Sequence, residues 1–145
     1  MNLFATLETR LKAHLTTLVA QGGLPEGLPI DRITVEPPRD ASHGDFATNA
    51  AMVLAKPAKT NPRALAEELV AVIADWDEIE STEVAGPGFI NMRAKPAAWH
   101  ELLRGVLSAG EGYGASTLGQ GQLVNVEYVS ANPTGPLHVG HGRGA

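Results

Sequence analysis

Patterns typical of helices and of strands alternate along residues 1–110. The first helix is predicted by five leucines that recur at spacings of four and three and so share one face: Leu3, Leu7, Leu11, Leu15 and Leu18. A second helix is predicted over residues 45–56, with Asp45 as its N-cap. The pair Asn61-Pro62 suits the start of a third helix, and Pro96 suits the start of a fourth.

Three short segments have the features of strands. Apolar and polar residues alternate over residues 32–36. Residues 79–85 are polar and weakly alternating, which predicts an edge strand, and a Gly-Pro-Gly turn joins them to a further strand over residues 89–94. The order helix, strand, helix, helix, strand, strand, helix predicts an α+β domain over residues 1–110, with a small antiparallel sheet and flanking helices.

The rest of the chain has a different character. Residues 111–121 contain four glycines and no periodicity, which indicates a linker. Residues 123–129 (LVNVEYV) are apolar on both faces, as strands inside parallel sheets are. Because one strand cannot form such a sheet, we expect residues 122–145 to be the truncated start of a larger domain. A loop follows this strand, and a helix begins near the end of the chain.

Composition narrows the possible functions of the 145 residues. Only seven residues are aromatic, so the core must be mostly aliphatic. The formal net charge of -5 excludes a generally basic nucleic-acid coat but leaves room for a local basic patch. The absence of cysteine excludes disulfide partners and thiolate chemistry. With no apolar run long enough for a membrane span and no signal peptide, we expect a cytoplasmic protein.

The strongest chemical signal is the strand, loop and helix start at the end of the chain. Ligands of open α/β sheets bind beyond the carboxyl ends of strands, and phosphate is favoured where a helix begins. His138 and His141 lie there and could stabilise charge on a phosphate, while Gly140 permits close approach. Two histidines three residues apart are also common on surface helices. A metal site is a further alternative, although no third ligand lies nearby, and we expect none.

The run over residues 126–141 (VEYVSANPTGPLHVGH) resembles the class I aminoacyl-tRNA synthetases, and specifically arginyl-tRNA synthetase. Its end matches their HIGH signature with Val in place of Ile. The signature segment comprises Ala131, Asn132, Pro133, Thr134, Gly135, Pro136, Leu137, His138, Val139, Gly140 and His141. Residues 43–50 and 85–91 are similarly like the appended amino-terminal domain of that family.

The resemblance implies a ligase of protein synthesis that activates arginine with ATP and Mg²⁺ and transfers it to its tRNA. It implies that residues 122–145 begin a Rossmann-type catalytic domain. Glu127 would pair with the arginine guanidinium, and a carboxylate suits that planar fork of donors. The resemblance assigns the amino acid's two charged ends to Ser130 and Asn132. It assigns the ATP phosphates and the catalytic charge stabilisation to His138 and His141, with Gly140 leaving room for adenosine.

Plainer interpretations of these residues also exist. Glu127 could be a solvent-facing residue at a strand end, and Asn132 could simply form a turn before Pro133. No lysine precedes the signature within residues 133–136, so we expect a KMSKS-type lysine elsewhere in the complete protein. The 145 residues alone are expected to be inactive.

The family's appended domain touches the D-loop corner of the tRNA, and the expected carriers here are Phe89, Asn91 and Arg93. A base could stack on Phe89 and hydrogen-bond to Asn91 while Arg93 meets a phosphate. Phe89 could instead be a core residue, and the part played by His43 stays open.

Charge is unevenly distributed along the front domain. Residues 32–63 hold five basic and three acidic side chains, whereas residues 75–83 hold five acidic ones and no base. An RNA backbone would avoid the acidic stretch. Two other functions remain open at this stage, namely a stand-alone RNA-binding module and a different nucleotidyltransferase that shares the HxGH pattern.

Overall fold

The computed structural model describes residues 2–130, 132 and 134–144, and their contacts form two units. The first unit ends at Glu111, and the second begins at Gly112. The first unit contains helices α1 (Leu3–Ala20), α2 (Ala50–Ala55), α3 (Pro62–Ile73) and α4 (Pro96–Ala109), and strands β1 (Val35–Glu36), β2 (Phe46–Thr48), β3 (Ile79–Ala85) and β4 (Phe89–Ala94). The prediction of an α+β fold with a small antiparallel sheet is confirmed.

The four strands pair antiparallel in the order β1-β2-β4-β3, so β3 is the edge strand that its polar sequence predicts. Side chains alternate between the two faces of a sheet. Phe46, Ile90 and Met92 lie on one face and are fully buried. The opposite face carries one row of directly opposed residues, one from each strand: Glu36, Ala47, Asn91 and Glu83. We call this second side the open face of the sheet.

The helices contribute to a core on the buried face. Four of the five α1 leucines are buried there: Leu3, Leu7, Leu11 and Leu15. Phe46 lies at the centre of an aromatic cluster, with its ring centroid 4.8 Å from that of Phe4 and 5.7 Å from that of Trp99. Helix α4 packs against the core through Ala98, Trp99 and Leu102, whereas Leu103 and Leu107 farther along it are exposed.

The predicted helix over residues 45–56 is wrong in its first half. Phe46–Thr48 is strand β2, and the helix begins only at Ala50. Asp45 is therefore not the N-cap of this helix; its Oδ2 accepts a hydrogen bond of 2.8 Å from the backbone N–H of Ala94 at the end of β4. The spacing of four between Phe46 and Ala50 fits a helix equally well, and a three-residue strand is too short for its own periodicity to show.

Other predicted boundaries are confirmed. Asn61 is the N-cap of α3, and its Oδ1 accepts hydrogen bonds from the backbone N–H groups of Arg63 and Ala64. Strands β3 and β4 form the predicted hairpin. In its turn, Gly88 has φ +150° and lies so close to α3 that a Cβ would be 2.9 Å from the carbonyl oxygen of Pro62. A side chain does not fit at this position.

The second unit lacks the predicted strand. Residues 122–127 are irregular, and the apolar side chains of this stretch are exposed: Leu123, Val124, Val126 and Tyr128. A strand is stabilised by hydrogen bonds to a neighbour, and the described part of this unit supplies no neighbouring strand. A short helix, α5 (Val139–Gly144), does follow, as expected. Among the described helices, none has the length and apolar character that crossing a membrane requires.

Candidate functional site

A groove of about 710 Å³ lies on the open face of the sheet. Ala47 and Asn91 from the two central strands line it, and Phe89 at the start of β4 lines it as well. The segment that follows β1, residues 37–43, contributes the other side through Pro37, Pro38, Arg39, Asp40 and His43. A volume of this size is in the range of small-molecule pockets, which is about 300–1,000 Å³.

The segment after β1 is fixed by local hydrogen bonds. It ends in a single 3-10 turn, Ala41–His43, in which Asp40 Oδ1 accepts from the backbone N–H of Ser42 at 2.9 Å. Hydrogen bonding from Ser42, first from its backbone and then from its hydroxyl, lowers the pKa of Asp40 below its ordinary value. The next residue, Gly44, is buried, and a Cβ there would lie 2.6 Å from the carbonyl oxygen of Met92. The turn is thus held directly against β4.

Asn91 is a polar residue of β4 that lines this groove, and it is only 6% exposed. Its Nδ2 lies 3.2 Å from Nδ1 of His43. An amide nitrogen can only donate, so the imidazole Nδ1 accepts and the proton of neutral His43 is on Nε2. His43, whose role the sequence leaves open, is therefore the hydrogen-bond partner of the predicted base-reading residue.

Phe89 and Arg93 share the open face with Asn91, because Ile90 and Met92 between them are buried on the other side. Phe89 is 43% exposed, so the alternative that it belongs to the core is wrong. The guanidinium of Arg93 donates to the carbonyl oxygen of Ser42 at 3.3 Å and remains exposed. The structure therefore brings the three predicted RNA-contacting residues to one face.

The charged side chains that line the groove are two acidic ones, Glu36 and Asp40, and one basic one, Arg39. Residues 32–63 contain five basic side chains, and of these Arg39 lines the groove. Arg63, in contrast, pairs with Glu67 at 3.4 Å on α3. The excess of basic residues over residues 32–63 therefore does not predict the charge of the groove lining.

Sequence reasoning missed two other polar residues at the groove, Thr34 and Asn49. Asn49 Oδ1 accepts from the backbone N–H of Thr34 at 3.0 Å, which ties the start of α2 to the approach to β1. The signal in the sequence is that Asn49 comes directly before helix α2. Asn49 reaches the groove only because β1 pairs with β2, and the sequence does not show that pairing.

In the second unit, His138 and His141 are brought together. Their rings stack with centroids 3.9 Å apart. Nδ1 of His141 accepts from the backbone N–H of His138 at 3.2 Å, and Nδ1 of His138 accepts from the backbone N–H of Gly140 at 3.1 Å. Each neutral ring therefore carries its proton on Nε2 and can donate it to an anion. A Cβ at position 140 would be 2.9 Å from Cε1 of His138, so a side chain there would displace the exposed His138 ring from this arrangement.

The other predicted residues of this unit are not assembled into a pocket. Glu127, Ser130 and Asn132 are exposed, and no hydrogen bond or ion pair among the described residues joins them to the histidines. Residues 134–139 of the signature segment are exposed as well. Ala131 and Pro133 lie outside the described residues.

Comparison with known proteins gives consistent matches along the whole chain. A family model described as the arginyl tRNA synthetase N terminal domain matches residues 5–94. A protein named arginine–tRNA ligase from Ruegeria sp. (strain TM1040) is 60% identical over 145 residues, which is 100% of this chain and 25% of that protein. Proteins of the same name from Rhodopseudomonas palustris (strain ATCC BAA-98 / CGA009) and Rhodospirillum rubrum are each 58% identical, over 99% and 100% of this chain and 24% of their own length.

The chain thus spans about a quarter of the length of the curated relatives it matches. The family model covers the helices and strands from α1 to β4, including the turn before Gly44 and the residues of the groove. This chain belongs to the family of arginyl-tRNA synthetase amino-terminal domains.

Proposed function

We propose that this chain is the amino-terminal part of an arginine–tRNA ligase that acts in the cytoplasm. The observation that carries the proposal is the identity of 58–60% to proteins of that name over essentially the whole chain. The complete protein would activate arginine with ATP, with Mg²⁺ bound to the phosphates, and transfer the arginine to its tRNA. Residues 122–145 would then begin the Rossmann-type catalytic domain, and residues 1–110 would form the appended domain.

In this proposal, the signature segment supplies part of the active site. Glu127 pairs with the arginine guanidinium, and Ser130 and Asn132 hold the amino and carboxylate ends of the amino acid. His138 and His141 donate from Nε2 to ATP phosphate oxygens and stabilise the charge that develops during adenylate formation. Their shared orientation supports this role, because both Nδ1 atoms are occupied by backbone N–H groups.

Arginine charging by the full-length protein tests these roles. We expect Glu127→Gln, which keeps the shape but loses the charge, to lower kcat/KM for arginine at least about 10-fold, since a charged hydrogen bond is worth about 1.5–3 kcal/mol. Glu111→Gln is the matched control, because Glu111 lies in the predicted linker and its substitution should leave charging unchanged. Full activity of Glu127→Gln would refute the assignment.

The isolated 145 residues are proposed to be catalytically inactive. The exposed positions of Glu127, Ser130 and Asn132 support this, because side chains that face solvent do not enclose a substrate. Measurable ATP–pyrophosphate exchange by this chain alone would contradict it.

The groove on the open face is proposed to bind the D-loop region of the tRNA. An unpaired base would stack on Phe89, Asn91 would hydrogen-bond to its edge, and Arg93 and Arg39 would contact phosphates. The exposure of the Phe89 ring beside a buried amide supports this arrangement, which is typical of single-stranded RNA recognition. Because the lining holds two acidic side chains and one basic one, stacking rather than electrostatics would be the main source of affinity.

Titration of this chain with an arginine tRNA transcript tests the groove. Loss of one base stack should weaken binding of Phe89→Ala about 5- to 100-fold. Leu103→Ala removes an exposed apolar side chain from α4 and serves as the control, with no expected effect. Two phosphate contacts predict a slope of log Kd against log salt of about 1.4. Unchanged binding of Phe89→Ala would rule out the stacking arrangement.

A further inference from the structure

The buried amide of Asn91 in the groove makes a side-chain hydrogen bond to His43. Asn91 is almost fully buried, and its amide bonds to Nδ1 of His43 at 3.2 Å. No other side-chain hydrogen bond is made by Asn91 within the described part of the chain. His43 itself is exposed and lines the same groove, so its other ring nitrogen remains available to solvent or to a ligand.

The backbone on both sides of His43 is attached to β4, the strand that carries Asn91. On one side, the carbonyl oxygen of Ser42 accepts from Arg93. On the other side, the backbone N–H of Asp45 donates to the carbonyl oxygen of Met92 at 2.8 Å. The backbone that carries His43 is thus attached on both sides to the strand that carries Asn91.

This contact decides which way round the Asn91 amide lies. While Nδ1 of His43 accepts, Asn91 must offer its NH₂ to the ring, and it keeps one N–H and its carbonyl oxygen for a ligand. An adjacent donor and acceptor match the N7 acceptor and the N6 donor of adenine, whereas guanine offers two acceptors, N7 and O6, at the same positions. If Nδ1 instead carried a proton, the amide would turn its oxygen to the ring and offer mainly donors.

We propose that His43 is a positioning residue that sets the orientation of the Asn91 amide and thereby determines which base of an unpaired RNA nucleotide the groove accepts. This inference rests on the proposed RNA-binding function of the groove. It assigns to His43 an effect on base preference rather than on overall affinity. The chemical class of ligand is a nucleobase whose edge offers an acceptor next to a donor.

The test measures base preference in two steps with the 145-residue chain. The first step uses a set of arginine tRNA transcripts in which each unpaired D-loop nucleotide is changed in turn to the other bases. Each transcript is titrated against the natural chain and against Phe89→Ala. The nucleotide whose identity affects the natural chain but not Phe89→Ala is the one in the groove. Its preference for the best over the worst base should be about 10- to 100-fold, as expected for a two-point contact with a base edge.

The second step repeats the four-base comparison with His43 variants. His43→Ala should reduce the preference to within about threefold while the best base loses only a few-fold in affinity, because the amide becomes free to turn. His43→Gln retains an acceptor beside Asn91 and should restore part of the preference. His100→Ala, which removes an exposed histidine from α4, should leave the preference unchanged.

The possible outcomes distinguish the two proposals. If Phe89→Ala loses affinity but His43→Ala keeps the full base preference, the positioning role is wrong and the RNA-binding groove stands. If Phe89→Ala binds every transcript as the natural chain does, the groove proposal fails and the role of His43 fails with it. Thermal unfolding of each variant confirms that the folded chain is being compared.

Discussion

Replacement of Gly44 by alanine tests whether the turn that carries His43 is held against β4 by close backbone contact. Gly44 has φ +116° and ψ -157°, a region that is essentially restricted to glycine. A Cβ at this position would lie 2.6 Å from the carbonyl oxygen of Met92 and 3.1 Å from its carbonyl carbon. Both atoms belong to the backbone of a central strand, so neither can move aside without disturbing the sheet.

The expected cost follows from two contributions. Holding alanine in this backbone region costs about 1–3 kcal/mol. Relief of the clash must lengthen the hydrogen bond from Asp45 to Met92, which contributes about 0.5–1.5 kcal/mol. We therefore expect Gly44→Ala to lower the free energy of unfolding by about 2–4 kcal/mol, which a domain of ordinary stability of about 5–15 kcal/mol survives.

Urea unfolding followed by tryptophan fluorescence provides the measurement, because Trp76 is buried and Trp99 packs against the same core. Gly27→Ala is the matched control: Gly27 has φ +76°, but an added Cβ would meet no atom within 4 Å. It should cost only the backbone strain, about 1–2 kcal/mol. If Gly44→Ala cost no more than Gly27→Ala, the close approach of the turn to β4 would be refuted.

Three further changes give distinct results. Lys12 Nζ donates a hydrogen bond of 2.7 Å to Glu8, and this lowers the pKa of Glu8. The stability that the pair contributes to the fold is therefore complete above the ordinary pKa of 4.5 and is lost as the pH falls through the pKa of Glu8 in the folded chain. Glu8→Gln should cost about 0.5–1 kcal/mol at pH 7 by urea unfolding and nothing near pH 2; an equal cost at both would contradict this. Phe46→Ala should cost about 3–5 kcal/mol in the same assay, whereas Phe89→Ala on the open face should cost less than about 1 kcal/mol; equal losses would contradict the burial pattern. Asp45→Asn should cost about 1–2 kcal/mol and speed hydrogen exchange of the Ala94 amide, whereas unchanged exchange would show that this hydrogen bond is dispensable.

The candidate site could be predicted only in part. The family resemblance points to Phe89 and Asn91, and alternation along the six-residue strand places Arg93 on the same face. His43 and Arg39 lie about fifty residues earlier, and nothing in their own neighbourhood reveals that they face β4. Their place depends on the attachment of the turn to Met92 and Arg93 of β4, which are contacts between distant parts of the chain.

The sequence by itself determined the elements with strong local signals. The α1 leucines, the Asn61 cap and the Gly-Pro-Gly hairpin specify structure through periodicity, capping and backbone preference, all of which act within a few residues. The tertiary structure alone decided that residues 46–48 form a strand and that residues 123–129 do not. A strand exists only where another strand offers hydrogen bonds, and β4 offers them to β2 while the described second unit offers none to the LVNVEYV segment.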